Sequence, residues 1–281
     1  MTWKACVATS SGPTGFGPLL YAGRVAECIA VSRELGFEGV EISMRSPEEF
    51  DRRELEALLR EARLELAAVG SGRMFLQDGL SLTDPDEAGR ARAVTRLCGL
   101  VDFAAGFGAP VIVGLTRGKE PADGDREAAL ARLVASMQEC ADHAADVGAS
   151  LLIEPINRFE TALLHRADET LAMIARIGRP NVSVLLDAFH MNIEEVSIGD
   201  AIRAVGGRLG HFHIVDSNRR APGFGHIDYE EVGAALSGIG YEGWLSGEIL
   251  PLPSDRAAAE QSRSFTAAMN ASHLSATSRE G

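Results

Sequence analysis

Long apolar runs are missing from this 281-residue sequence, so we expect no segment that spans a bilayer. Paired cysteine spacing such as C-x-x-C is also missing, because the four cysteines are scattered: Cys6, Cys28, Cys98 and Cys140. The start, Met1-Thr2-Trp3-Lys4, lacks the charged-then-apolar layout of a signal peptide. These absences predict a cytoplasmic protein with reduced thiols.

The chain also lacks a positive net charge. The sequence has 27 Lys and Arg against 40 Asp and Glu, a formal net charge of −13. Affinity for nucleic acid depends on phosphate neutralisation by cationic side chains, so we expect no nucleic-acid partner and no membrane partner. The hydrophobic content of 46% is ordinary for a globular protein. The number of subunits stays open, and a homo-oligomer is compatible with the sequence.

Apolar runs that read as β-strands alternate with helical patterns along the chain. We predict eight such strands, near Lys4–Ala8, Gly39–Ser43, Leu64–Gly70, Pro110–Gly114, Ser150–Pro155, Val182–Asp187, Leu209–Val215 and Trp244–Leu250. Alternating strands and helices indicate βαβ units and a parallel sheet, and eight of them suggest a closed barrel. The expected fold is therefore an α/β, single-domain (β/α)8 TIM barrel over residues 1–271, followed by a polar tail over 272–281.

Four chemically reactive residues end the last four predicted strands: Glu154, Asp187, His213 and Glu248. Successive members are separated by roughly the 30 residues that a strand, a crossover helix and two loops require. In a closed parallel barrel, carboxyl strand ends meet at the mouth that holds the active site. Three carboxylates and one imidazole would repel one another there without a divalent cation. The oxygen-rich set suits Mn²⁺ or Mg²⁺ better than a thiolate-seeking metal.

The motifs around these four residues are more specific than their spacing. Glu154-Pro155-Ile156-Asn157-Arg158-Phe159-Glu160, the segment Asp187–Glu195 and the segment Asn218–Asp228 resemble ketose 3-epimerases of the D-tagatose/D-psicose type. Those enzymes belong to the xylose-isomerase-like barrel superfamily. The resemblance is strongest from Leu151 to Leu250, whereas the first half of the chain matches mainly in layout.

The resemblance implies a divalent ion, with Mn²⁺ favoured and Co²⁺ or Mg²⁺ as alternatives. It also implies that Glu154, Asp187, His213 and Glu248 are metal ligands. Glu154 and Glu248 match the acid/base pair, and three further residues match groups that contact the sugar near its carbonyl: Glu160, His190 and Arg219.

The chemistry of an epimerase agrees with this assignment. Removing the proton α to a ketone leaves an enediolate, whose developing charge a chelating divalent cation stabilises. Inversion then requires one base on each face of the planar intermediate. Because the strands that end in Glu154 and Glu248 are three apart in a ring of eight, the two glutamates can flank a substrate.

Several of these residues also have ordinary structural interpretations. A single carboxylate at a strand end is more often a helix cap or a salt-bridge partner, and only the joint pattern favours a ligand set. His211 shares the strand face of His213, which favours a buried histidine one layer deeper in the barrel. A structural role bracing their loop is at least as good an explanation for Asn157 and Arg158.

Cations follow several early strands in this otherwise acidic chain: Arg45, Arg73, Arg117 and Lys119. Any one of them alone is best explained as a solvated residue or the partner of a nearby acid such as Glu49. Together they suggest a mouth for an anionic group, because Arg binds carboxylates with paired donors. We therefore expect Arg45, Arg73 and Arg117 to bind substrate, and we favour a keto sugar acid of the 5-ketogluconate or ketouronate type over a neutral ketose.

Three alternative functions remain. An aldose–ketose isomerase, a hydroxypyruvate isomerase or an inosose dehydratase would use the same metal and the same enolisation, since fold and site underdetermine the substrate. An abasic-site endonuclease needs three zinc ions and early histidines, but the first histidine here is His143, and the net charge opposes DNA binding. A non-catalytic binding protein would not need the complete ligand and base set.

Overall fold

The computed structural model describes residues 2–15, 17–118 and 124–277. Eight strands pair in sequence order, each parallel to the next, and the last pairs with the first to close the barrel. They are β1 Lys4–Ser10, β2 Gly39–Ser43, β3 Glu65–Gly70, β4 Val111–Val113, β5 Leu151–Ile153, β6 Val182–Asp187, β7 Leu209–His213 and β8 Trp244–Gly247. The prediction of a closed (β/α)8 barrel is confirmed.

Helices surround this barrel. In the described part of the chain they are α1 Val25–Leu35, α2 Arg52–Ala62, α3 Gly72–Asp78, α4 Glu87–Ala105, α5 Arg126–Asp146, α6 Ala167–Ile177, α7 Ala188–Glu194, α8 Ile198–Val205, α9 Tyr229–Gly238 and α10 Asp255–Thr277. The strand-end helices α3 and α7 were not predicted, because seven residues are too few to show a helical period. The last helix extends past residue 271, where the barrel was expected to end. None of these helices combines the length and the apolar character needed to cross a membrane.

A glycine ends the first helix. Gly36 has φ of 80°, in the left-handed region that side chains with a Cβ rarely adopt, and its backbone N–H donates to the carbonyl of Arg33. The chain can therefore turn directly from α1 into β2. Gly148, between α5 and β5, has φ of 70° and serves the same purpose.

The barrel interior is arranged in layers. Three of the four reactive residues have a strand neighbour two positions earlier that shares their face of the strand. These neighbours are Leu152 for Glu154, Leu185 for Asp187 and His211 for His213. Leu152 and Leu185 pack with Ala68 and Ile112 in a small apolar cluster separate from the main core, while His211 is fully buried. This apolar layer closes the barrel beneath the four chemically reactive residues.

Arg117 is a buried cation whose contacts favour a structural role, and the substrate contact expected from the sequence stays a prediction. Its guanidinium is fully buried and donates to the carbonyls of Gly114 at 2.9 Å, Leu163 at 2.9 Å and Leu164 at 3.1 Å, and to that of Glu154. Burial lowers the pKa of Arg117 to about 10, so the side chain remains charged at neutral pH. Its donors are used to join the loops that follow β4 and β5, and Arg117 does not line the cavity described below.

We expect Arg117→Met to lower the free energy of unfolding by at least about 3 kcal/mol, because buried carbonyls left without donors cost about 1–3 kcal/mol each. Denaturant titration measures the change. The matched control is Arg45→Met, whose side chain is 45% exposed and should change stability by less than about 0.5 kcal/mol. Wild-type stability in Arg117→Met, with a raised KM confined to anionic substrates, would restore the substrate-binding role.

Candidate metal centre

The barrel brings the four predicted ligands together at one rim. Asp187 and His213 end β6 and β7, and Glu154 and Glu248 directly follow β5 and β8. One ligand atom from each residue lies within 4.8 Å of those of the other three. The convergence follows from parallel pairing in order, because four adjacent strands present their carboxyl ends side by side.

The distances suit a single divalent ion. His213 Nδ1 lies 3.2 Å from Asp187 Oδ2, 3.8 Å from Glu154 Oε1 and 3.9 Å from Glu248 Oε2. Oxygen ligands bind Mg²⁺ or Ca²⁺ at about 2.0–2.6 Å, so two ligands of one ion are separated by roughly 3–5 Å. The donor set of three carboxylates and one imidazole therefore fits a divalent cation.

The electrostatics of the cluster lead to the same conclusion. Burial raises the pKa of Glu154 to about 8, and the negative charges of Glu248 and Asp187 add to the increase. Burial also raises the pKa of Glu248. Neighbouring buried carboxylates are costly unless positive charge balances them. A divalent cation would supply that charge and favour the deprotonated ligands, so binding it is coupled to proton release.

A residue that the sequence analysis missed orients His213. Glu41, in the middle of β2, places Oε2 3.2 Å from His213 Nε2 and 2.9 Å from His211 Nε2. All three side chains are buried. Because the carboxylate accepts the hydrogen bond from Nε2–H, His213 turns its other nitrogen, Nδ1, towards the other three ligands, where it would bind a cation after releasing its proton. The available signal was a lone acid between Val40 and Ile42 in an apolar strand.

A cavity of about 320 Å³ opens beside the cluster and is lined by Glu154, His213 and Glu248. The three residues expected to contact the sugar also line it: Glu160, His190 and Arg219. The structure therefore brings together the candidate ligands and the candidate substrate contacts, as their motifs predicted. Their roles stay proposals.

Arg219 links two of these carboxylates. Its guanidinium donates to Glu248 Oε2 at 2.9 Å and to Glu160 Oε1 at 3.0 Å, and it lies 4.8 Å from the centre of the Phe189 ring. Its loop is ordered by Asp216, another residue that the sequence analysis did not select. Asp216 accepts backbone N–H bonds from Ser217, Gly223 and Ile227.

His190 lies in the first turn of α7, directly after Asp187 and two residues of that helix. The Asp187 carboxylate accepts hydrogen bonds from the backbone N–H groups of Phe189 and His190. The ring of His190 is buried, and Nε2 lies 3.9 Å from Glu154 Oε1. Burial lowers the pKa of His190 to about 4, which keeps the ring neutral at physiological pH.

The other expected cations that the structure describes, Arg73 and Arg45, lie close to acidic side chains. Arg73 lines the cavity, but its guanidinium makes a two-point pair with Glu49, at 2.6 and 3.0 Å. Arg45 is half-exposed, and its nearest acids are Glu49 and Asp78. Lys119 lies outside the described residues. The observed pairing agrees with the ordinary structural interpretation of Arg45 and Arg73.

We expect alanine at Glu154, Asp187, His213 or Glu248 to abolish stoichiometric metal binding, because three ligands leave the site open and its charge unbalanced. Elemental analysis of each purified variant measures the metal content. Glu160→Gln is the matched control, since it changes an acid in the same cavity outside the cluster and should retain the metal. Stoichiometric metal in any two of the alanine variants would refute the site.

We expect Glu41→Gln to weaken metal affinity about 10–100-fold, because the second partner of a metal-bound histidine fixes its orientation and basicity. Competition with a chelator measures the affinity, and thermal unfolding without metal separates it from stability. Glu65→Gln, on the neighbouring β3 and exposed, provides the control. A purely structural role of Glu41 would lower stability and leave the dissociation constant of the folded variant unchanged.

Comparisons with known proteins agree with this geometry. The xylose isomerase-like TIM barrel family model matches residues 29–269. A D-psicose 3-epimerase of Agrobacterium fabrum is 36% identical over 236 residues, covering 81% of this chain and 77% of that protein. An L-ribulose 3-epimerase of Methylomonas sp. is 33% identical over 225 residues, covering 79% and 77%. A solved L-ribulose 3-epimerase structure matches with a TM-score of 0.84 and 26% identity, covering 100% of this chain and 98% of the other. The chain belongs to the xylose isomerase-like TIM barrel family and is an enzyme of the carbohydrate epimerase type.

Proposed function

We propose that this protein is a divalent-metal-dependent ketose 3-epimerase. The observation that carries the proposal is the convergence of Glu154 and Glu248 with Asp187 and His213 in one cluster, beside a cavity that all of them except Asp187 line. The relatives at 36% and 33% identity, which are named as 3-epimerases of D-psicose and L-ribulose, support the reaction class. The oxygen-rich ligand set favours Mn²⁺, with Co²⁺ or Mg²⁺ as alternatives.

Glu154 and Glu248 are the proposed acid/base pair. One carboxylate removes the proton from the carbon next to the ketone, and the other returns a proton to the opposite face of the planar enediolate. Each positioned group contributes about 10²–10⁴-fold to the rate. A bound divalent ion would supply Lewis-acid stabilisation of the negative charge that develops on oxygen.

Arg219 and Glu160 bind and orient the substrate in this proposal. The Nε–H of Arg219 is buried and has no hydrogen-bond partner within the described part of the chain. An unpaired buried donor is costly, and a small shift of the side chain on substrate binding would let a substrate oxygen accept this bond. Because the same guanidinium contacts Glu248, substrate and base are positioned together.

We propose a neutral ketose as substrate, in place of the keto sugar acid favoured by the sequence. That preference depended on Arg45, Arg73, Arg117 and Lys119. Arg73 is paired with Glu49, Arg117 donates to buried carbonyls, and Arg45 lies near two acids. A cavity of about 320 Å³ lies at the small end of ligand pockets and suits a monosaccharide.

The decisive experiment is solvent deuterium exchange with Glu154→Gln and Glu248→Gln. The amide oxygen retains a metal ligand, and metal content is checked in each variant. Both variants should lose net epimerisation, yet at least one should still incorporate deuterium on one substrate face, because each glutamate serves one face. Epimerisation near the wild-type rate in either variant would contradict the two-base mechanism. Conversion of the ketose to an aldose by the wild-type enzyme, without epimerisation, would favour an aldose–ketose isomerase that uses one face.

The same exchange assay identifies the substrate class. Wild-type enzyme with added Mn²⁺ is incubated with neutral ketohexoses and ketopentoses and with the matching keto sugar acids. We expect exchange at carbon 3 with a higher kcat/KM for the neutral sugars. A tenfold or greater preference for keto acids would support the substrate class inferred from the sequence.

A further inference from the structure

The side-chain amide of Asn157 makes three hydrogen bonds beneath the cavity. Asn157 is 1% exposed. Its Oδ1 accepts the backbone N–H of Phe159 at 3.0 Å, and its Nδ2 lies 2.7 Å from His190 Nδ1 and 3.0 Å from Glu160 Oε1. Neither Asn157 nor its amide has a part in the function proposed above.

These partners determine the orientation of the Asn157 amide, that is, the positions of its oxygen and its nitrogen. The backbone N–H of Phe159 can only donate, so the atom facing it must be the amide oxygen. The carboxylate of Glu160, which also accepts from Arg219 at 3.0 Å, requires a donor from the other end. Two independent contacts therefore agree that the NH₂ group of Asn157 faces His190.

The orientation of the amide determines where His190 carries its proton. An N–H pointing at Nδ1 from 2.7 Å requires a lone pair on Nδ1, because two protons cannot share the contact. The ring is therefore neutral with its proton on Nε2. Nε2 lies 3.9 Å from Glu154 Oε1, which is beyond hydrogen-bond distance, and the ring lines the cavity.

We infer that Asn157 is a positioning residue that fixes the Nε2–H tautomer of His190, so that His190 meets the substrate as a neutral hydrogen-bond donor. The inference rests on the proposed function, since the acceptor is the substrate oxygen that gains charge as the proton leaves carbon. A neutral donor stabilises that charge without adding a positive charge next to a bound cation. The same amide also holds Glu160, which links the orientation of His190 to that of Arg219.

The test is Asn157→Asp, which retains the shape of the side chain but removes both N–H donors. The new carboxylate would draw the His190 proton to Nδ1 and leave Nε2 without the donor. We expect kcat to fall about 10²–10³-fold, the range for loss of one donor to a developing oxyanion, with metal content little changed. Spectra of ¹⁵N-histidine-labelled protein loaded with Mg²⁺ should show His190 Nδ1 change from unprotonated to protonated. The His190→Gln variant assigns the signal.

Two further variants separate tautomer control from simple support of the loop. Asn181→Asp removes similar amide bonds, to the carbonyls of Ala141 and Ala149, away from the cavity, and it should leave kcat and the His190 signals unchanged. In a His190→Gln background, whose amide donor has no tautomer to choose, Asn157→Asp should cost less than tenfold. A full 10²–10³-fold loss in that background, or an unchanged His190 tautomer in Asn157→Asp, would overturn the inference. The NMR result does not depend on turnover, so inactivity towards every ketose would refute the proposed function alone.

Discussion

The crowding of three carboxylates, two buried and one partly buried, around one imidazole is the constraint on which the rest of the site depends. Parallel pairing in sequence order places Glu154, Asp187 and Glu248 at adjacent strand ends, where burial and mutual repulsion raise the pKa of Glu154 to about 8. Such a cluster is costly unless a cation balances it. The neighbouring residues reduce the cost only in part, because Arg219 contacts Glu248 and leaves Asp187 and Glu154 to other partners.

The two histidines of the site, His213 and His190, present different ring nitrogens to the cavity. The reason is that one has a hydrogen-bond acceptor as its partner and the other has a donor. Glu41 can only accept, so it accepts the hydrogen bond from Nε2–H of His213 and leaves Nδ1 facing the carboxylates, where Nδ1 would bind a cation after releasing its proton. Asn157 donates to Nδ1 of His190 and leaves the proton on Nε2. One imidazole therefore presents a nitrogen suited to a cation, and the other presents a proton suited to a substrate oxygen. Identical side chains acquire different chemistry from one hydrogen bond each.

Sequence patterns predicted the features that recur with the βα unit, and missed those that depend on side-chain direction. The eight strands follow from apolar runs that alternate with helical patterns. The convergence of the four ligands follows from the last four runs, which end in possible metal ligands about 30 residues apart. Arg117 also follows a strand end, but no periodicity shows that its guanidinium turns inward to carbonyls. Glu41 is equally hidden, because its partner His211 is distant in sequence and meets it only when the barrel closes. The family resemblance supplied Glu160, His190 and Arg219, which spacing alone would not have identified.

Arginines at the mouth of the barrel do not have to bind an anionic substrate, because an acidic neighbour can neutralise their charge. Arg73 is 4% exposed and satisfies its charge through a two-point pair with Glu49, so a substrate carboxylate would have to displace a buried partner at close range. Its Nε–H remains buried without a partner among the described residues. A substrate carboxylate would also bring an unbalanced negative charge next to Glu49, whereas a neutral sugar hydroxyl would not. The pairing of Arg73 with Glu49 therefore supports the proposal of an uncharged substrate.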